Sequence, residues 1–105
     1  MYTDVKQTIA VAATAQLQKY VGTSATNITK ARIMAISAQC SGADGSVKIY
    51  NATDATTAST LVFEAKWGIN DGDIITFYLP QNGIRCKTAM HAVLSNCDFL
   101  VVTFD

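Results

Sequence analysis

Cys86 and Cys97 bracket the only histidine of the chain, His91, in the run "IRCKTAMHAVLSNCDF", and a third cysteine, Cys40, lies far upstream. Thiols and an imidazole in one stretch could hold a metal, form a redox pair, or set a nucleophile beside a general base. Structural zinc sites pair their ligands at short spacing, as in C-x2-4-C, and the interval from Cys86 to Cys97 does not fit that pattern. The alternation of the flanking residues puts Cys86 inside a short strand, "GIRCK", and Cys97 in a turn, "NCD", so a redox pair would need a fortunate register. Three cysteines, an odd number without dense spacing, argue against a disulfide framework. All three are expected to be buried structural thiols.

A catalytic histidine needs an orienting carboxylate and a nucleophile within reach. On a strand, His91 points away from the face of Met90 and Ala92, and Ser95, four residues on, stands about 13 Å from it. That is no triad. "NDGD" at Asn70 to Asp73 is rich in oxygen ligands but lacks the D-x-D-x-D-G series and the later bidentate glutamate of a calcium loop. It reads as a turn, because Asn, Asp and Gly tolerate positive φ. "SGADGS" and "PQNG" match neither phosphate-binding glycine pattern. The chain is therefore read as a non-enzyme with no catalytic residue, no metal ligand and no cofactor. Trp67, Tyr50 and Tyr78, with Phe77 beside them, are the remaining candidates. Such rings could stack on a sugar, or pack into the core or a subunit interface.

The elements that would position these residues are strands. "NITKARIMAISAQC" and "SVKIYN" read as a hairpin with its tip at Ser41 to Gly45. After a Thr/Ala-rich loop come "TLVFEAKW", then "IITFYLP", closed by the sole proline, Pro80, which does not belong inside a central strand. Asn82-Gly83 is a strong hairpin signal, followed by "GIRCK", "MHAVLSN" and "FLVVTF". Short strands every 8–12 residues or so, punctuated by Gly and Asn, predict a single-domain all-β fold, an antiparallel β-sandwich or jelly-roll-like barrel.

Residues 1–26 are set apart by "GTSATN". "VKQTIAVAATAQLQKYV" carries a period-two pattern with exceptions, yet Val5, Ile9, Ala13, Leu17 and Val21 also fit one helical face. Threonine and β-branched content favour strand, alanine favours helix. This segment is read as an arm or first strand, and residues 27–105 as the β-domain.

The chain has 105 residues, half of them apolar, 15% charged, and no net charge. One modest core is the limit at this length. No basic run could supply phosphate contacts, so nucleic acid is not an expected partner. No stretch approaches the roughly 20 apolar residues of a membrane span, and "TIAVAATA" lacks the basic flank of a signal peptide. The expectation is a chain made in the cytoplasm without processing. Low charge leaves the surface open to self-association, which suits a protein built into an assembly.

The strand "ARIMAISA", the run "GSVKIYNATD" with "TLVFEAK" after it, and "ITFYLPQNGIRCKTAMHAVLSNCDFLVVTF" together resemble small proteins of tailed bacteriophages. The likeness runs from Lys30 to Phe104 and leaves the N-terminal segment unmatched. It implies a virion structural component, above all a capsid decoration or cement subunit located on the particle. Its implied partners are further copies of itself and a major capsid or other virion protein. The alternative is a carbohydrate- or receptor-binding β-sandwich, a head-fibre or tail component, with Trp67 and Tyr50 as stacking residues.

Overall fold

The computed structural model describes residues 6–40, 45–53, 58–67, 73–80 and 82–105. Its strands are β1 (Lys6–Gln7), β2 (Ala15–Gln16), β3 (Gln18–Val21), β4 (Ser24–Asn27), β5 (Ala31–Cys40), β6 (Ser46–Tyr50), β7 (Leu61–Lys66), β8 (Ile74–Tyr78), β9 (Ile84–Cys86), β10 (His91–Ser95) and β11 (Cys97–Phe104). A short 3-10 turn, Ala58–Thr60, precedes β7, and the described residues hold no α-helix. The protein is all-β.

One sheet runs β1-β11-β5-β8, with β9 also on β5; the second runs β2-β10-β6-β7, and β3 and β4 form a separate ribbon. With β9 and the ribbon set aside, the first strand pairs with the last, the second with the one before it, β5 with β8, and β6 with β7. This nested antiparallel pairing across two sheets is the jelly roll, one of the two architectures expected.

Alternation explains which side chains enter the core. Leu100, Val102 and Phe104 of β11 and Val47 and Ile49 of β6 are buried, while their neighbours along each strand are more exposed. In β5 the buried set changes phase, from Ala31, Ile33 and Ala35 to Ile36, Ala38 and Cys40. The cause is a register shift: Thr103 pairs with Ala35 but Phe104 with Ile33, so Met34 is the extra residue of a bulge.

From Lys6 onward the N-terminal segment is not a free arm; it belongs to the sheets of its own chain. Lys6 and Gln7 pair with β11, Val11 bridges Leu100, and Ala15 and Gln16 pair with β10. Thr8 is buried and its Oγ1 accepts the Val102 N–H at 3.0 Å. Leu17 is fully buried, and its N–H donates to the Met90 carbonyl at 2.8 Å. The segment is extended, so the helical alternative fails.

Two expected hairpins are corrected. β5 and β6 lie in different sheets, so they form no hairpin with each other; Ser41 to Asp44 of the expected tip lie outside the described residues. β8 and β9 do not pair with each other, but follow one another along the same side of β5. Gly83 nonetheless has φ +68°, and its N–H donates to the Pro80 carbonyl at 3.0 Å. The turn is real, but it steps between two segments on one partner instead of folding a strand back.

The expectation of three free thiols also fails. Cys40 and Cys97 are register partners on β5 and β11 and form a disulfide across 57 residues of chain. Cys97 begins a strand where a turn was expected. Gly45 makes room beside the bridge, since a Cβ there would sit 2.5 Å from that of Cys40. A cross-link closing so long a loop restricts the unfolded chain. Reduction, or Cys97→Ala, is expected to lower unfolding stability by about 2–4 kcal/mol. Urea unfolding with and without reductant checks this, and coincident midpoints would show that the bridge contributes nothing.

Candidate functional site

The cluster that opened the sequence reading is dispersed by the fold. Cys97 is taken up by the disulfide, and Cys86 is the free cysteine, buried on β9 opposite Ala31. His91 lies on β10 between Gln16 of β2 and Tyr50 of β6, with its Nδ1 buried and without a hydrogen-bond partner among the described residues. No group of three His, Cys, Asp or Glu side chains suited to a metal occurs among the described residues. Asn70 to Gly72 of the calcium-like loop lie outside them.

Burial pushes the Cys86 thiol up from its ordinary 9.0 to about 11. The unfolded chain ionises this thiol first, so the stability gained by keeping it neutral is whole below about pH 9 and is lost as pH rises through about 11. Wild type should therefore lose on the order of 2 kcal/mol more than Cys86→Ala over that window. Denaturant titrations of the two proteins at stepped alkaline pH measure it. Parallel curves would contradict the assignment.

Two of the three aromatic candidates belong to the core. Trp67 is buried, its Nε1–H donates to the Asp73 carbonyl at 3.2 Å, and it meets Phe77 edge-on at 6.4 Å between centroids. Phe77, on β8, also meets Phe63 of β7 at 5.3 Å, so these rings tie the two sheets together. Tyr50 is buried as well. Neither Trp67 nor Tyr50 offers a ring face to a sugar, which removes the stacking platform of the alternative reading. Tyr78 is the opposite case, 82% exposed at the end of β8.

Tyr78 leads to the feature that stands out physically. A sheet edge carries unpaired N–H and C=O groups, and proteins shield such edges with brevity or charge. β1 and β2, at one edge of each large sheet, are two residues long. β7, at the other edge of its sheet, carries Glu64 and Lys66, with Glu64 3.7 Å from Lys48. β9 is three residues long and carries Arg85. β8 has neither protection. Its sequence, IITFY, holds no charge, and Ile74 is 62% exposed beside the still more exposed Tyr78.

The chain matches no family model, no curated protein and no solved structure in comparisons with known proteins.

Ile74 and Ile75 were not singled out from sequence. Alternation alone makes every apolar strand look half-buried, and Pro80, which closes this strand, was the one local sign against a central position.

Proposed function

We propose that this protein is a structural component of a tailed-phage virion, above all a capsid decoration or cement subunit that works by contacts with its own copies and with a major capsid or other virion protein. The observation that carries the reading is the unshielded apolar edge of β8, which leaves Ile74 and Tyr78 in water unless another chain covers them. The jelly roll supports it at the level of fold, since viral capsid domains use this architecture. Lectins use it too, so fold alone does not choose. Burial of Trp67 and Tyr50 weighs against the lectin-like reading.

The Cys40–Cys97 bridge fits the same picture. Disulfides persist at virion and cell surfaces, whereas the cytosol keeps thiols reduced. A subunit made in the host cytoplasm would close this bridge once its particle meets oxidising surroundings.

Quantitative mass spectrometry of purified particles, from a phage whose genome encodes this chain, tests the proposal. The expected result is the chain at many copies per particle. Its absence from particles, with abundant protein left in the infected cell, would overturn the reading.

A further inference from the structure

β8 is antiparallel to β5, with Ala35 opposite Tyr78, Ser37 opposite Thr76 and Gln39 opposite Ile74. The Leu79 N–H donates to the Met34 carbonyl at 3.1 Å, one step further in the same register. Antiparallel bonding alternates along a strand, so Leu79, Phe77 and Ile75 turn their main-chain groups toward β5. Ile74, Thr76 and Tyr78 therefore turn theirs toward the open side.

The side chains divide in the same way. Phe77 faces inward to Phe63 and Trp67. Ile74, Thr76 and Tyr78 share the outer face, where Thr76 Oγ1 and Ser37 Oγ are 2.7 Å apart. The open edge thus has three outward residues, with Thr76 at its centre.

We infer that β8 pairs antiparallel with β8 of a second copy across a two-fold axis at Thr76, joining the β1-β11-β5-β8 sheets of two chains into one. This rests on the reading of β8 as a subunit contact. The edge is complementary to itself in main-chain bonding, apolar side chains and charge. Rotation about Thr76 sets the outward N–H and C=O of Ile74 against those of Tyr78 in the second copy, and Thr76 against Thr76. Ile74 then packs on Tyr78 across the strands, an aromatic and β-branched pair that shields two large apolar side chains exposed on the edge. No charge lies between Ile74 and Tyr78, so no like charges meet, and Asp73 comes opposite Leu79. Because the strand carries no charge, it offers an acidic or basic segment nothing to select on.

A strand pair of this length lies at the small end of specific interfaces, so the dimer should depend on concentration. Sedimentation of the full chain from about 1 μM to about 1 mM should show a monomer passing to a dimer. Amide exchange followed by NMR should slow at Ile74, Thr76 and Tyr78 as dimer accumulates, and stay constant at Ile75, Phe77 and Leu79. Thr76→Pro removes an outward N–H without taking a main-chain bond from β5, giving up only the side-chain bond to Ser37, and should abolish the dimer while the β-sheet circular dichroism is kept. Ile74→Lys, which disturbs no main-chain bond, should weaken dimerisation at least tenfold and covers the case in which the proline variant does not fold.

A monomer throughout that range overturns the inference, as does a dimer that both variants leave intact or one that protects other amides instead. If the dimer forms as described while purified particles lack the chain, the pairing stands and the virion reading falls. If the chain is on particles but β8 never self-pairs, the reverse holds.

Discussion

Deleting residues 1–24 is expected to abolish cooperative folding. The deletion takes away β1, β2 and β3, the Val11–Leu100 bridge, and the hydrogen bonds that Thr8 and Leu17 exchange with Val102 and Met90. β11 and β10 would each lose a neighbour, and their freed main-chain groups would need water or another chain. The narrower test is Leu17→Ala. Leu17 is 0% exposed, and removing a buried leucine costs about 2–5 kcal/mol in transfer and cavity terms. Thermal unfolding should move to lower temperature in that variant and show no cooperative transition in the truncated chain. A truncated protein that still melts cooperatively would mean the segment only decorates a core complete without it.

Gly83→Val is expected to be about as damaging, through strain instead of a lost contact. Gly83 has φ +68°, where a β-branched residue is rare, and its built Cβ collides with the Ile33 carbonyl oxygen on β5. That oxygen is main chain in the central strand of the sheet and cannot swing aside as a side chain would. Left-handed strain costs about 1–3 kcal/mol and overpacking a similar amount, so a loss of about 3 kcal/mol or more is expected. Gly22 is the internal control. It has φ +65° in the β3–β4 turn but open space around it, so Gly22→Val should show the strain without the collision. Urea unfolding of the two variants separates these effects, and equal losses would show that the approach to Ile33 is relieved by movement of the strand.

Local interactions were legible in the sequence, and long-range ones were not. Alternation is local, so the strands around "SVKIY", "LVFEA" and "FLVVTF" were legible, as was the all-β class. Positive φ at Gly83 was legible for the same reason, since Asn-Gly fixes local backbone shape. Pairing is not local. Nothing in "QNGIRCK" says that β9 continues beside β5 instead of folding back on β8, and nothing near Cys97 says that β11 will lie opposite Cys40. The disulfide was missed because counting and spacing of cysteines carry no information on register.

The N-terminal segment shows a related limit. It was read as an arm or first strand, with strand and helix patterns both open, yet Leu17 occupies the interior and the segment supplies one edge strand of each large sheet. Trp67 and Tyr50 left two readings open, stacking on a sugar or packing inside, and their rings take the second. What the sequence did carry about the candidate site was indirect: an uncharged "IITFY" stopped by Pro80, in a chain short of charge throughout.

β1, β2, β7 and β9 are short or charged, and β8 is five residues long, uncharged and open. An edge of this kind is a liability for a free monomer and an asset for a subunit. The measurement that bears on it most directly is a cryo-EM reconstruction of particles carrying this chain, at a resolution that separates strands. The account predicts jelly-roll density at many equivalent positions on the virion, with Ile74–Tyr78 hydrogen-bonded to another chain and Tyr78 covered. Particles without this density, or with the domain bound through another face and β8 left open to solvent, would contradict it.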